Sequence, residues 1–552
     1  MNIARLALST LAIKASVFES STKDPLSLQK RLLLEYLDRN KNTEYGKKFN
    51  FSQIKSIEDY RKAVPISDCE MMRPYLERMA QGQSNILTVD DPIFFGATSG
   101  TTNKPKLIPV TKFSQDKKAD LMGLWAYYIS RDHPKVLDGK VLAIISPVKE
   151  GVTESGLAFG AESGHAYKNL PSVIRHIYAI PDEVLDIEDF EARYYCIMRI
   201  GMAENVTTIA TLNPSTIIIL CRKIAVWQND IIEDIEHGAL KKDLDVPPAA
   251  RKGIEKHLKP DPRRAGELKD ILRKYGELLP KYFWPNLELV ECWKGGTVKL
   301  YLKELPQYLG NVPIRDMGCL STEARSSIPM SDDGAGGVLA IGTNFYEFIP
   351  RSDADNPNPK TLLCDELEKG KEYLLVVTTP GGLYRYNIDD LIAVDGFFNN
   401  TPVIEFLQKG HNAVSLAGEK LYESQVNEAI NIVVEKYGIR LALFTAAVQM
   451  EMPPRYVFLV EFDSDVLAVS KKEFLSAVEN EFCKQNREYD FVRKSGLLNS
   501  PVLKIIKKGG FENYRAKKIR NGTHDSQFKA PELTSDPEFQ SNFEIEEEVR
   551  IK

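Results

Sequence analysis

Residues 97–111 of the chain are ATSGTTNKPKLIPVT. The first half is a polar turn rich in Gly and Thr, and the second half, Leu107 to Thr111, is an apolar run that predicts a β-strand. Consecutive hydroxyls around a glycine supply many hydrogen-bond donors with little bulk, so the loop can wrap nucleotide phosphates. The alternative to a phosphate-binding loop is a Thr-rich surface turn without a binding function. The Walker pattern GxxxxGKS or GxxxxGKT is absent from this segment.

The phosphate-binding role falls on the small, hydroxyl-bearing and cationic residues of this segment. The residues that we assign to it are Thr98, Ser99, Gly100, Thr101, Thr102 and Lys106.

Short apolar strands alternate with helical patterns along the rest of the chain, which predicts an α/β fold. Helical periodicity covers Leu26 to Asn40 and Met72 to Met79. Further strands are predicted at Val141–Ser146, Val206–Leu212, Leu287–Glu291, Gly337–Thr343 and Glu372–Thr379.

With 552 residues the chain is too long for one hydrophobic core. The pattern changes after Glu405, and a turn-prone segment follows near Gln408 to Asn412. We therefore expect a large domain over residues 1–408 and a small α/β domain over residues 409–552. The acidic tail from Thr534 onward is either docked or frayed, and its charge does not decide between the two.

The composition argues against several classes of partner. The net charge is -5, from 72 basic and 77 acidic residues, so no nucleic-acid footprint is indicated. The apolar stretch from Met1 to Phe18 is interrupted by charges and cannot span a bilayer. The seven cysteines are scattered, which is typical of free thiols in a reducing compartment. We expect a cytoplasmic protein without membrane or nucleic-acid partners; its oligomeric state is open, with a monomer favoured.

The string ATSGTTNKPK resembles the phosphate loop of the adenylate-forming superfamily, which includes acyl-CoA synthetases, adenylation domains and luciferases. The continuation LIPVT resembles more specifically the acyl-acid amido synthetases, which conjugate auxin, jasmonate or benzoates to amino acids in plants and also have bacterial members. Three other segments agree with that family in the same order: Leu320 to Glu323 (LSTE), Glu372 to Asp390 (EYLLVVTTPGGLYRYNIDD) and Ser526 to Pro531 (SQFKAP). We expect a bacterial-type member.

The resemblance implies a fold and a reaction. The fold is a large N-terminal domain of β-sheets flanked by helices, which binds ATP and the acid, plus a small mobile C-terminal domain that acts as a lid. The reaction is ATP- and Mg²⁺-dependent adenylation of a small carboxylic acid, followed by acyl transfer to an amine, an amino acid in that family. Because two anions must approach each other, catalysis depends on charge neutralisation and positioning.

The resemblance also implies roles on the nucleotide side. Glu323 is the carboxylate assigned to Mg²⁺, with Ser321 and Thr322 beside it in the nucleotide site. Asp390 accepts hydrogen bonds from the ribose hydroxyls, and Arg385 braces Asp390 or a phosphate. Without the flanking motifs, each of these residues would be interpreted as a solvated charge or an exposed ion pair.

Two lysines are assigned to catalysis in the same way. Lys529 in SQFKAP is the proposed catalytic lysine, because an ammonium near the α-phosphate would stabilise charge that develops in the transition state. Lys420 in AGEKLYESQV matches a second lysine of the family that follows the domain hinge.

The chain departs from the family pattern at three positions. Asn103 replaces a glycine of the phosphate loop, and Asn tolerates left-handed backbone geometry. Cys319 stands where the family has an aromatic residue that packs on adenine, and Phe345 or Tyr346 could take over that packing. Asp389 replaces the glycine before Asp390, which places two carboxylates side by side.

Two other functions stay open at this stage. An acyl-CoA ligase would use the same adenylate and a different acceptor, and a non-catalytic nucleotide- or acid-binding protein could share the scaffold. The sequence identifies neither the acid nor the amine. We expect the acid pocket to be lined by residues from Trp125 to Tyr128 and from Tyr167 to Ile180.

Overall fold

The computed structural model describes residues 3–98, 106–145, 150–295, 299–354, 356–410, 413–439, 441–462, 469–520 and 531–551. These residues belong to two compact units, and the boundary between the units falls between Gln408 and Lys409.

The first unit contains both helices and sheets. Its helices are α1 (Ile3–Ser21), α2 (Pro25–Asn40), α3 (Glu44–Lys48), α4 (Ile57–Ala63), α5 (Cys69–Ala80), α6 (Lys112–Asp132), α7 (Glu162–Lys168), α8 (Ser172–Arg175), α9 (Phe190–Gly201), α10 (Pro214–His237), α11 (Pro248–Glu255), α12 (Pro262–Tyr275), α13 (Pro280–Phe283), α14 (Lys299–Leu302) and α15 (Leu305–Leu309).

The strands of the first unit form three sheets. The strands are β1 (Pro92–Thr98), β2 (Lys106–Thr111), β3 (Lys140–Ile144), β4 (Gly151–Val152), β5 (Ala158–Gly160), β6 (Val206–Thr211), β7 (Leu289–Glu291), β8 (Ile314–Arg315), β9 (Ser327–Ile328), β10 (Gly337–Leu339), β11 (Phe345–Pro350), β12 (Glu372–Thr378), β13 (Tyr386–Phe398) and β14 (Thr401–Lys409). The sheet orders are β2-β1-β5-β4, β3-β6-β7-β8 and β11-β12-β13-β14-β10-β9. The second of these sheets is parallel throughout.

Helix starts follow local capping chemistry. Asp24 and Asp68 precede α2 and α5, and each side chain accepts a hydrogen bond from a backbone N–H of the first turn. Thr111 and Ser114 form a reciprocal capping box that begins α6 directly after β2. The turn from β2 into α6 is therefore fixed by two side chains close in sequence.

The main core lies between the six-stranded sheet and helices α2, α4, α5 and α6. Alternating residues of β11 and β12 enter it, including Phe348, Leu375 and Val377, and all three are buried. Tyr45 and Tyr384 stack at 5.0 Å between ring centroids, which joins α3 to the connection between β12 and β13.

A buried ion pair crosses this core. The guanidinium of Arg385 binds both carboxylate oxygens of Glu347 on β11, with Nε 2.8 Å from Oε2 and Nη2 3.0 Å from Oε1. The remaining Nη1 donates to the carbonyl oxygens of Arg61 and Val64 at 3.1 and 2.8 Å. Glu347 is 1% exposed and Arg385 is 6% exposed, so the pair is shielded from solvent.

The second unit is smaller and contains two sheets. Its elements are β15 (Ala413–Val414), β16 (Leu421–Tyr422), α16 (Glu423–Tyr437), β17 (Leu441–Gln449), β18 (Arg455–Phe462), α17 (Lys471–Gln485), α18 (Arg487–Lys494), β19 (Val502–Ile506), α19 (Gly510–Arg520) and β20 (Ile545–Arg550). The larger sheet has the order β17-β18-β19-β20, and β15 pairs with β16.

The predicted α/β class is confirmed by this architecture, and predicted elements such as α2, α5, β6 and β12 agree with the structure within a few residues. The acidic tail is docked, because its residues 545–550 add β20 to the edge of β19. Among the residues that the structure describes, no helix has both the length and the apolar character needed to cross a bilayer.

We expect replacement of Glu347 by Ala to lower the free energy of unfolding of the first unit by about 3–5 kcal/mol, because the Arg385 charge would remain buried without its carboxylate. The measurement is urea unfolding followed by tryptophan fluorescence. The matched control is Glu372→Ala on β12, whose ion pair with Arg351 is partly exposed and should contribute less than about 1 kcal/mol. Equal effects of the two substitutions would contradict this interpretation.

Candidate active site

The Gly- and Thr-rich segment connects the two strands of an antiparallel hairpin. β1 and β2 pair from Phe94↔Val110 through to Thr98↔Lys106, so the last residue of β1 and the first of β2 face each other. Residues 99–105 lie outside the described part of the chain. The roles of Ser99, Gly100, Thr101 and Thr102 therefore stay predictions.

The LSTE motif is a tight turn. Leu320 and Arg325 form an isolated antiparallel bridge, and the Ser321 N–H donates to the carbonyl oxygen of Ala324 at 2.9 Å. The Ala324 N–H in return donates to the Ser321 hydroxyl at 3.2 Å. Because the bridge and these bonds fix both ends, Thr322 and Glu323 occupy the tip of the turn. We call residues 320–325 the acidic turn.

The acidic turn packs directly on the hairpin because Gly96 has no side chain. A Cβ atom at Gly96, in the middle of β1, would lie 2.4 Å from Cγ2 of Thr322. Lys118 of α6 holds the turn from another side: its Nζ lies 2.6 Å from a carboxylate oxygen of Glu162 and 3.3 Å from the carbonyl oxygen of Thr322. These contacts place Glu323 beside the hairpin whose connection is the predicted phosphate loop.

Lys106 and Glu323 both act electrostatically on one partly buried group. Burial raises the pKa of the Cys69 thiol at the start of α5, the Lys106 charge lowers it and the Glu323 charge raises it. The predicted phosphate-binding cation and the predicted metal-binding carboxylate therefore lie near the same helix start. Glu323 is 6% exposed.

Asp390 lies in a bulge of β13. Val376 of β12 pairs with Asn387 and Leu374 pairs with Leu391, so residues 388–390 face the single residue between them on β12. Asp389 has φ of 59°, a left-handed conformation that Asp tolerates better than most residues, and its N–H donates to the Asn387 side chain at 2.9 Å. This geometry explains why a glycine suits position 389 in the family motif.

The bulge brings Asp390 close to Cys319, which precedes the acidic turn. Burial raises the pKa of the Cys319 thiol, and the charges of Asp316 and Asp390 raise it further. Asp390 is 7% exposed, whereas Asp389 is half-buried. The two ring candidates for adenine packing, Phe345 and Tyr346, are each 1% exposed in the core and offer no ring face to a ligand in this structure.

The Arg385 side chain forms hydrogen bonds with other residues of the protein core. It has φ of 46°, and its guanidinium binds Glu347 and backbone carbonyls as described above. Its backbone N–H donates to the Thr378 hydroxyl at 3.0 Å, and its carbonyl oxygen accepts from the Ser67 N–H at 2.9 Å. In this arrangement Arg385 fixes the entry into β13 and hence the bulge that carries Asp390.

Lys420 belongs to the second unit and closes the short loop between β15 and β16. Glu419 organises this loop: its carboxylate accepts from the N–H groups of Leu416 and Ala417, both at 2.8 Å, and from the Tyr456 hydroxyl at 2.6 Å. The carbonyl oxygen of Lys420 accepts from the Asn486 side chain at 2.8 Å. Lys529 lies outside the described residues, so its role stays a prediction.

Three contributors to the site were missed from the sequence. Gly96 carried a signal, because a glycine inside a strand often marks a close backbone approach. No sequence pattern indicated Lys118 and Glu162, because these two residues are 44 positions apart and lie on different helices. Within the described ranges, no cluster of three or more His, Cys, Asp or Glu side chains could hold a metal ion by itself.

Three segments of the chain match the three domains of one protein family. Residues 14–314 match the GH3 family N-terminal domain, residues 337–409 the GH3 family central domain and residues 424–538 the GH3 family C-terminal domain. The chain belongs to the GH3 family.

Relatives of the chain are similar over nearly their whole length. The jasmonoyl–L-amino acid synthetase JAR4 of Nicotiana attenuata is 26% identical, with 93% of this chain and 92% of the relative covered. The indole-3-acetic acid-amido synthetase GH3.3 of Arabidopsis thaliana is 24% identical, with 96% and 92% covered. The solved structure of the GH3.15 acyl acid amido synthetase superposes with a TM-score of 0.66 at 23% identity, covering 97% of each chain. The two named relatives are plant enzymes, and the expectation of a bacterial-type member finds no support.

We expect Gly96→Ala to impair activity more than stability, because the added Cβ would push Thr322 and the acidic turn away from the hairpin. Adding Thr322→Ser removes the clashing Cγ2 atom and should restore most of the lost activity. The measurement is the rate of acid-dependent pyrophosphate release, with the unfolding midpoint recorded in parallel.

The control for this pair is Gly266→Ala in α12, where an added Cβ meets no atom within 4 Å. It should leave the rate unchanged and stabilise the helix by about 0.5–1 kcal/mol. If Gly96→Ala lost no activity, or if Thr322→Ser failed to rescue it, the close packing of the acidic turn would not matter for function.

We also expect Glu419 to make the second unit less stable as the pH rises. Burial raises the pKa of this carboxyl from 4.5 to about 7, so folding takes up a proton between these values. Stability from this group is therefore highest below pH 4.5 and falls as the pH rises towards 7. Between pH 5 and 8, the free energy of unfolding of the parent should fall by about 2 kcal/mol more than that of Glu419→Gln.

Urea unfolding of the parent and of Glu419→Gln at several pH values measures this difference. The exposed Glu435 of α16 provides the control, because Glu435→Gln should follow the parent at every pH. Parallel curves for the parent and Glu419→Gln would rule out a titrating group at position 419.

Proposed function

We propose that this protein activates a small carboxylic acid with ATP and Mg²⁺ as an acyl-adenylate and transfers the acyl group to an amine, an amino acid, to form an amide. In the first step a carboxylate oxygen attacks the α-phosphorus and pyrophosphate leaves. In the second step the amine nitrogen attacks the acyl carbon and AMP leaves. The named relatives are amido synthetases for jasmonate and indole-3-acetate, which supports this reaction class.

The observation that carries the proposal is the contact between Gly96 and Thr322. It holds the acidic turn against the hairpin, which supports one common site for the Glu323 carboxylate and the predicted phosphate loop. A magnesium ion that travels with a nucleotide needs only one or two protein carboxylates, because the phosphates supply other ligands. Glu323 alone fits that requirement, and the described residues offer no separate metal cluster.

Each proposed group has a limited task. Mg²⁺, when bound, neutralises phosphate charge and polarises the phosphoryl oxygens. Glu323 would hold the ion beside Ser321 and Thr322. Asp390 accepts hydrogen bonds from the ribose hydroxyls, and the bulge of β13 orients it. Lys106 adds positive charge at the base of the predicted phosphate loop.

Two lysines of the smaller unit, Lys529 and Lys420, are the proposed catalytic cations of the adenylation step. An ammonium at Lys529 stabilises the negative charge that develops on the α-phosphate and on the entering carboxylate. Lys420 is held by the loop that Glu419 organises and is the second candidate for this task.

Replacing Lys529 by Ala should lower the rate of acyl-adenylate formation about 10²–10³-fold, because one transition-state donor is lost. Amide formation from a supplied acyl-adenylate should continue. The two half-reactions are measured by pyrophosphate release and by mass analysis of products, after a screen of acids and amino acids. Lys508→Ala, an exposed lysine of the same unit, is the control and should not change either rate.

The same assay distinguishes the roles of Asp390 and Glu323, and it also tests the two alternative functions. Asp390→Asn should raise the KM for ATP more than it lowers kcat, whereas Glu323→Gln should lower the Mg²⁺-dependent rate itself. A thioester product with CoA would identify an acyl-CoA ligase, and the absence of turnover with every acid would identify a binding protein. An unchanged rate for Lys529→Ala would transfer the catalytic role to Lys420.

A further inference from the structure

A row of side chains at one end of the parallel sheet leaves space next to a buried acid. Ala143 of β3, Ala210 of β6, Glu291 of β7 and Arg315 of β8 are paired in register across the four strands. Side chains in register on adjacent strands lie on the same face of a sheet, about 4.8 Å apart. Ala210 remains partly exposed although its strand is flanked on both sides. Ala210 therefore leaves part of this sheet face accessible beside Glu291, whereas Ala143 is buried.

The carboxyl group of Glu291 has no hydrogen-bond partner among the described residues, although the residue is only 7% exposed. Its electrostatic neighbours are Arg325, Arg315 and Tyr178. Arg315 is already paired with Asp132 and Asp332, so it does not neutralise Glu291 by itself. Burial raises the pKa of Glu291 to about 8, against the two arginine charges, and a protonated carboxyl can donate as well as accept a hydrogen bond.

Tyr178 forms the next wall of this space. Burial and the Glu291 charge raise the pKa of its hydroxyl to about 12. The ring packs edge-to-face on Tyr167 at 5.0 Å between centroids, and both rings cover the Ala143 side of the sheet. The Tyr167 hydroxyl is bound to the Ile180 carbonyl oxygen, whereas the Tyr178 hydroxyl makes no hydrogen bond within the described ranges.

Arg325 and Trp125 border the same space on the side of the acidic turn. The Arg325 guanidinium lies 4.8 Å from the centre of the Trp125 ring, and its Nη2 donates to the Met317 carbonyl oxygen at 2.9 Å. In the described part of the chain, neither Nε of Arg325 nor Nε1 of Trp125 has a hydrogen-bond partner, although both atoms are buried. Buried donors and acceptors without partners are rare in folded proteins and point to a site that a ligand completes.

We propose that Glu291 and Tyr178 recognise a hydroxyl or N–H group at the end of the carboxylic acid substrate that is opposite its carboxylate. This inference rests on the proposed function. The carboxylate end must lie near the acidic turn, where ATP and Mg²⁺ are expected. Arg325 is part of that turn, and its charge also acts on Glu291. An acid that extends from the turn to β7 is therefore a small molecule. The substrate class is a small acid with a polar far end, and a purely apolar acid of the same shape is disfavoured.

The experiment uses matched acids on benzoate, phenylacetate and phenylpropanoate skeletons, each with a para hydroxyl, a para amino or a para methyl group. The methyl acids match the hydroxyl acids in size and lack the donor. The full-length enzyme should adenylate the preferred donor acid with a kcat/KM at least 10-fold above that of its methyl partner, because unpaired polar groups in a pocket reject an analogue without the donor.

Three variants connect this preference to the pocket. Glu291→Leu should abolish or reverse the preference for the donor acid over the methyl acid. Glu291→Gln keeps a polar amide and should retain most of this preference. Tyr178→Phe removes one hydroxyl and should reduce the ratio by a few fold. The exposed Glu277 gives the control, since Glu277→Leu should leave the ratio unchanged. Because a ratio of two acids is measured on one protein, a loss of stability affects both terms equally.

The results separate the inference from the function on which it rests. If the parent enzyme adenylates donor and methyl acids equally well on every skeleton, the inference is overturned and the proposed function stands. The inference is also overturned, and the proposed function again stands, if Glu291→Leu and Tyr178→Phe both keep the ratio of the parent enzyme. If no acid in the set or in the wider screen yields pyrophosphate with any amino acid, the proposed function is overturned together with the inference.

Discussion

The buried ion pair between Arg385 and Glu347 is the interaction on which the geometry around Asp390, the predicted ribose-binding residue, depends. A charged pair at this depth is stable only when its hydrogen bonds are satisfied, and Arg385 meets this condition through Glu347, Thr361 and backbone carbonyls of the α4 region. The same residue has a left-handed backbone conformation, which costs about 1–2 kcal/mol for a non-glycine residue. The contacts offset this cost, so β13 begins at a fixed point and its bulge presents Asp390 from a rigid base.

A second constraint is steric and acts on the acidic turn. The missing side chain of Gly96 allows Thr322 to approach β1 more closely than any other residue would permit. Lys118 and Glu162 then hold the turn from the helical side. Charge neutralisation of a nucleotide needs groups fixed before the reaction, since reorganisation during the reaction would cost part of the stabilisation. The ion pair and the close approach both provide such fixed groups within the first unit.

The sequence predicted those features that depend on local chemistry. Helices with apolar periodicity and an N-cap, such as α2 and α5, and apolar strands such as β6 were predicted within a few residues. Features that depend on distant partners were not predicted. The motif suggested a nucleotide role for Arg385, but its partner Glu347 is 38 positions away. The acidic tail forms β20 because β19 offers it a free edge and Lys504 faces Glu548, which composition alone does not indicate.

The acidic turn links the two kinds of recognition in the proposed reaction. Glu323 at its tip is the residue that we propose for the metal and the phosphates, and Arg325 at its end borders the space beside Glu291. The hydrogen bonds between Ser321 and Ala324 keep these two positions at a constant separation. An acid that fills the space would therefore contact the same turn that we propose for the nucleotide charge. Binding energy from the far end of the acid can in this way contribute to the position of its carboxylate against the α-phosphate, which is where the reaction needs it.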